Sequence, residues 1–308
     1  MMRNKINKYA LLALAMVAGL TACKQKAVKF STKDTFQSGE ITLVADESFA
    51  PIVGQEMYVF KSRNRDANPT VLYRTENRAV NMLMNDSVRA VVLSRDLDTA
   101  ERNALIKQQL SVEVVRFATD AVTLIVNKTS ADTVTTVNEL KKMLNGQAGV
   151  NKTIVFDNPN SSLVRYLKEF SGNKEFKQKN IYALKSNKEV IKYVSEHPDA
   201  IGITGFSWLI DPDKDYADYV SKVKIVGVKD ENSKKYPNEY FKPSQESLVL
   251  KQYPLSRGLY MINCSSKVGL TTGFTTFLAS DVGQRIILRS GLLPDSIPPR
   301  EINLKSKL

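Results

Sequence analysis

The chain reads as an α/β protein of two domains, built from parallel strands joined by crossover helices. Three observations predict this. A strand, a polar turn and a helix follow one another three times within about 70 residues, the alternation that a parallel sheet requires. The same alternation returns in a second block after residue 137. The length of 308 residues suits two cores, at roughly 100–200 residues per domain.

In the first block, Ile41 to Ala45 is a short buried strand, and Asp46-Glu47-Ser48-Phe49-Ala50-Pro51 opens a helix. Proline fits a first helical turn, where its missing N–H leaves nothing unbonded. Val71-Leu72-Tyr73 is a second strand. Arg74-Thr75-Glu76 follows, then a helix with apolar Ala79, Val80, Leu83 and Met84. Ala90 to Leu93 is a third strand, closed by Ser94-Arg95-Asp96, and a helix runs from about Thr99 to Gln109. Val112 to Phe117 and Ala121 to Asn127 are two further strands, interrupted at Thr119-Asp120.

The second block begins with a helix over Val137 to Leu144. Lys152 to Phe156 is a strand, Asp157 to Ser162 a turn, and Leu163 to Phe170 a helix. Lys188 to Ser195 is helical, Ala200 to Thr204 is a strand ending at Gly205, and Val223 to Val228 is another. Asp230 to Glu246 is polar and irregular. Leu248, Val249 and Leu250 read as extended, as do Leu259 to Ile262. Thr271 to Ser280 and Val282 to Ser290 are helical, and little pattern remains from Pro294 on.

The first residues are an address rather than part of the fold. Met1 to Lys8 carries Arg3, Lys5 and Lys8, and an apolar run follows from Tyr9 to Leu20. At about 12 residues the run falls short of the ~20 that cross a bilayer core of ~30 Å. It is a secretory signal. Its ending, Leu20-Thr21-Ala22-Cys23, resembles the bacterial lipoprotein box. That resemblance implies removal of residues 1–22 and lipidation of Cys23. Residues 23–38, with Lys24, Lys26, Lys29 and Lys33, read as a tether. These lysines suit either anionic headgroups or plain solvent.

Composition narrows the function. The apolar fraction is 43% and the charged fraction 25%, ordinary globular values that exclude general disorder. There are 44 basic and 32 acidic residues, a net charge of +12. Cleavage before Cys23 takes three of the 44, leaving +9. This excess suits an anionic partner or is simply a basic surface. The charges are scattered, without a dense basic block, which argues against nucleic acid. One histidine, His197, and one cysteine left in the body, Cys264, allow neither an internal disulfide nor a zinc site of ordinary ligands. No cofactor motif is present. No nucleophile elbow or phosphate-cradling Gly-rich loop is present either, so an enzyme is not expected.

The strand-to-helix turns carry the chemistry. In open α/β sheets ligands bind beyond the carboxyl ends of strands, where helix N-termini attract anions. Ser48, Thr75, Ser94, Ser161 and Ser162 fall on such turns. Each is either an ordinary N-cap or a ligand donor. Arg95 either forks onto an oxyanion or pairs with Asp96 or Asp98.

With these residues laid out, the body resembles the phosphate-binding proteins of Pst-type ABC importers. Tyr253-Pro254-Leu255-Ser256-Arg257-Gly258-Leu259-Tyr260 is similar to that family's return segment. Ser94-Arg95-Asp96-Leu97, Thr119-Asp120-Ala121 with Val126-Asn127, Pro198-Asp199-Ala200-Ile201-Gly202-Ile203, and Gly291-Leu292-Leu293-Pro294 match further family segments. The resemblance spans about Ile41 to Pro294. It implies the two-lobed type II periplasmic binding protein fold, each lobe a mixed, mostly parallel sheet flanked by helices. Lobe 1 would be residues 39–118 plus 256–308 and lobe 2 residues 119–255, hinged near Thr119 and Tyr253 to Arg257.

The family's ligand turns fall on Ser48 and Phe49, on Thr75, on Ser94 with Arg95, and on Asn160, Ser161 and Ser162. An arginine that precedes the last turn in the family is missing and Asp157 stands nearby, which would weaken dianion binding unless Arg74, Arg95 or Arg165 compensates. The implied function is capture of inorganic phosphate for a membrane permease, by a monomer lipid-anchored on the periplasmic side of a bacterial membrane. The alternatives are another oxyanion, such as sulfate or molybdate, and an envelope scaffold without a ligand.

Overall fold

Gly39–Asp46 forms strand β1, and its last four residues are buried without a break. The computed structural model describes residues 33–147 and 152–296. Residues 1–32, and with them the segment read as a signal, Cys23 and most of the segment read as a tether, lie outside the described residues. The end of the segment read as a tether docks on the body. The Asp34 carboxylate accepts from the Leu270 N–H at 2.8 Å, and Phe36 backbone lies against Gly273.

The main sheet places β2 (Ala67–Arg74), β1, β3 (Ala90–Leu93), β11 (Ser256–Asn263), β4 (Glu113–Asn127), β8 (Ala200–Gly205), β6 (Thr153–Phe156) and β7 (Ile181–Ala183) side by side. β1 runs parallel to β2 and β3, while β6 runs parallel to β8 and β7. β11 and β4 are antiparallel to their neighbours. The sheet is therefore mixed, with two parallel wings.

β4 explains how the wings join. Its first part, Glu113 to Ala121, pairs with β11, and its second, Val122 to Val126, pairs with β8. The two strands expected at 112–117 and 121–127 are thus one strand of 15 residues. Thr119-Asp120 does not interrupt it, because both residues keep their ladder partners, Gly258 and Arg257.

Helices cover the wings. Ala50–Arg63 forms α1, with Pro51 in its first turn. Glu76–Met84 forms α2, and Thr99–Lys107 forms α3, started by an Asp98–Glu101 capping box. In the second wing, Val137–Leu144 is α4, Ser162–Ser171 is α5 and Asn187–Glu196 is α6. α6 packs directly on β8: a Cβ at Gly202 would meet Val194 at 2.6 Å and Ile125 at 2.9 Å. One apolar cluster runs through both wings, from Leu43, Phe49 and Ile52 to Phe156, Leu163 and Ile203.

Two local expectations change. Leu248, Val249 and Leu250 are not extended: Gln245–Val249 is a short helix with a Ser244–Ser247 capping box, and Leu250 caps it. A three-residue apolar run has no resolvable period, so the cap decides. The strand expected over 223–228 is two strands, β9 (Val223–Ile225) on β4 and β10 (Gly227–Lys229), which forms a separate two-stranded sheet with β5 (Val134–Thr136).

Candidate functional site

Three parallel strands end at one seam between the wings. β1 ends at Asp46, β3 just before Ser94, and β6 just before Asp157. Their carboxyl ends face each other, the position at which open α/β sheets take ligands.

The Asp46 carboxylate accepts from the Ser48 N–H at 2.8 Å and, across the seam, from the Ser162 N–H at 3.1 Å. Ser48 Oγ donates to Asp157 Oδ2 at 3.0 Å. Asp157 also accepts from Ser161 Oγ and from Asn187 Nδ2. Ser94 Oγ donates to Glu76 Oε2 at 2.9 Å, while Arg165 Nη2 donates to Ser94 Oγ at 2.6 Å. Arg165 Nε pairs with Glu76 Oε1, and its Nη1 holds Glu169. Arg257 Nη1 donates to Ser162 Oγ at 3.0 Å, and its guanidinium lies 4.6 Å above the centre of the Phe49 ring. Trp208 Nε1 closes one side, donating to the Ser48 carbonyl at 2.9 Å.

Five of the sequence-predicted residues therefore meet: Ser48, Phe49, Ser94, Ser161 and Ser162. Ser161 is also a helix cap, its Oγ accepting from the Val164 N–H. Thr75 stands at the N-cap of α2 with no side-chain cap bond. Asn160 is exposed, and its carbonyl reaches the Asn77 N–H at 3.5 Å. Arg95 stays at the rim of the seam, its Nε 3.8 Å from Glu76 Oε1. It forks onto both oxygens of Glu101 at 2.7 Å, a partner other than the Asp96 or Asp98 expected, because the α3 capping box presents Glu101 to it.

The sequence reading missed the acceptors. Asp46, Glu76 and Asp157 are buried, and Glu47 reaches Asn187 Nδ2 at 3.1 Å. It also gave Arg257 no ligand role, although Arg257 stood in the best-matched segment. Burial, then the neighbouring Asp46 charge, pushes Asp157 up to about 7. Burial and the Asp157 charge push Glu47 up to about 7. Burial and then the Glu76 charge raise Asp46. A seam crowded with carboxylates holds protons readily.

Beside Trp208 the seam continues into a cavity of about 390 Å³. Ala50, Pro51 and Tyr73 line it from one wing, Lys188, Trp208 and Tyr216 from the other. No group of three or more His, Cys, Asp or Glu suited to a metal ion occurs among the described residues.

Two wings facing each other across a seam of polar strand ends make a two-lobed α/β architecture. A family model described as a PBP superfamily domain matches residues 31–282, and the chain belongs to that superfamily. Three solved structures illustrate the likeness. One is a candidate phosphate ABC transporter substrate-binding protein with bound phosphate from Clostridium perfringens, at 20% identity and TM-score 0.68, covering 84% of this chain and 100% of its own. An ABC-type phosphate transport receptor from Vibrio cholerae matches at 19% identity and TM-score 0.61, over 83% and 100% of the two chains. PstS from Borrelia burgdorferi matches at 23% identity and TM-score 0.51, over 83% and 99%. At these identities the likeness is one of fold, the type II periplasmic binding protein fold. No curated protein sequence matches the chain. No helix among the described residues is long and apolar enough to cross a membrane.

Proposed function

We propose that this chain is the substrate-binding component of an ABC importer and captures inorganic phosphate, or a closely related oxyanion, between its lobes. One observation carries the reading. Ser48, Ser94, Ser161, Arg165 and Asn187, drawn from both wings, all reach carboxylate oxygens or a hydroxyl bonded to one. Such donors are matched to anionic oxygens, and charge-assisted bonds of this kind are the strong ones. The arginine missing before Asp157 has two substitutes at the seam, Arg165 and Arg257.

In this reading the protein binds and does not turn over. His197 is no base for the seam serines, since its Nδ1 bonds the Tyr193 carbonyl and its ring stacks on Tyr193. The lobes are residues 39–118 plus 256–308 and 119–255, and the ligand-loaded closed form is what a permease would recognise. Cys23 supplies the lipid anchor on the periplasmic side. Isothermal titration with phosphate, sulfate and molybdate tests the ligand. Phosphate is expected to give saturable heat. Absence of heat and of any thermal shift with all three would overturn the oxyanion reading.

A further inference from the structure

The donors of the seam are engaged by the chain's own carboxylates. Each wing sends a carboxylate into the donors of the other. Glu76, in the first turn of α2, takes Arg165 of α5, while Asp157, at the end of β6, takes Ser48 Oγ from the turn after β1. Asp46 repeats the pattern toward the Ser162 N–H. Glu76 is 1% exposed, and Asp46 and Asp157 are fully buried. Burying a carboxylate costs several kcal/mol unless it is paired and hydrogen-bonded. Here it is tied to groups on the opposite wing, so separation of the wings breaks those bonds.

Resting on the oxyanion reading above, we infer that Glu76 and Asp157 are built-in surrogates for the ligand: they occupy its donors, latch the wings shut without it, and yield them to an incoming oxyanion by exchange. The latch makes the ligand-free protein mostly closed. An oxyanion competes with the chain's own carboxylates for Ser48, Ser94 and Arg165. Its apparent affinity is lowered by the fraction of molecules whose donors are free. Ordinary clamps close because ligand bridges the lobes; this one closes on itself and trades one set of anionic oxygens for another.

Trp208, the single tryptophan of the chain, reports the state directly. It is 4% exposed and its Nε1 bonds Ser48 across the seam. The test is acrylamide quenching of Trp208 in extensively dialysed full-length protein, beside Glu76→Gln, Asp157→Asn, the double variant and Arg165→Gln. Far-UV circular dichroism and melting identify any variant that fails to fold. Arg165→Gln breaks the Glu76 pair from its half-exposed end, so the latch can be opened without altering a buried acid.

The ligand-free native protein is expected to be poorly quenched. The double variant and Arg165→Gln are expected to be quenched several-fold more strongly. Phosphate is expected to protect Trp208 in the double variant, and to bind it about tenfold more tightly than the native protein, a ratio that corresponds to a native free-donor fraction of about 10%. Equal quenching of ligand-free native protein and folded variants would overturn the latch. Loss of phosphate binding in the double variant would make these acids ligand contacts and overturn the exchange. Quenching differences that hold while no protein takes up phosphate, sulfate or molybdate would leave the latch standing and sink only the oxyanion reading.

Discussion

Asp120 and Arg257 stand opposite each other on the two strands that join the wings, as ladder partners of β4 and β11. Their side chains are 0% and 2% exposed, and Arg257 Nε and Nη2 reach Asp120 Oδ2 at 3.0 and 2.9 Å. From this anchor Arg257 extends to Ser162 and covers Phe49. Removing one partner of a buried ion pair strands the other, at a cost of about 3–5 kcal/mol. Arg257→Met is therefore expected to lose about that much in denaturant unfolding. Adding Asp120→Asn to it should recover part of the loss, since no stranded charge is left. Simple additivity of the two changes would show that the pair does not act as one unit.

How far the sequence reached follows from the distance over which its signals act. The turns at Ser48, Ser94 and Ser161 were legible because a strand, a polar cap and a helix lie within a dozen residues. Their gathering at one seam followed from the parallel topology. Arg165 and Arg257 were harder to place: their partners Glu76 and Asp120 lie 89 and 137 positions away, and no local pattern links them. Arg95 misled because its neighbours in sequence, Asp96 and Asp98, were closer in the chain than Glu101, which the α3 cap delivers in space. The Leu248 to Leu250 run misled because its cap, Ser244, lay inside a stretch read as irregular.

The pH dependence of stability has a definite sign. Asp157 and Glu47 are both pushed up to about 7, from ordinary values of 3.8 and 4.5. Asp46 is raised too. Around Asp157 stand Asp46 and Glu47 as like charges and Arg257 as the opposing one, with Ser48, Ser161 and Asn187 as donors. The folded state therefore binds protons that the unfolded state has released, across the window from about 4 to 7. Stability falls as pH rises through that window and is flat above it, as far as these groups go. Melting is expected several degrees higher at pH 5.5 than at pH 7.5. Asp157→Asn should flatten the slope, and an unchanged slope would show that Asp157 is ionised throughout.

The lipid anchor is tested by fractionation. Residues 1–22 read as a removable signal, and Cys23 as the lipidated N-terminus of the mature chain. Native protein is then expected in the membrane fraction and extractable only by detergent. Cys23→Ala should leave the chain out of the membrane fraction or unprocessed, since lipidation takes place on that thiol. Membrane retention of the processed Cys23→Ala protein would remove the anchor from the proposal.

Glu56 separates a second titration from the first. It lies in the middle of α1, is 0% exposed, and neither of its carboxyl oxygens has a hydrogen-bond partner among the described residues. Burial alone pushes it up to about 9. Glu56 is therefore neutral at pH 7 and contributes a second decline in stability that continues to about pH 9, where the Asp157 contribution has ended. Methionine has similar volume and no polar atom to leave unbonded. Glu56→Met is expected to stabilise the protein by about 1–2 kcal/mol at pH 7, the usual cost of an unsatisfied buried polar group. It should also remove the slope between pH 7 and 9 and reduce, without abolishing, the one below pH 7, where Asp157 and Glu47 still titrate. Urea unfolding at pH 5.5, 7 and 9 reads both effects, and a destabilised Glu56→Met protein would mean that the carboxyl holds a partner through water.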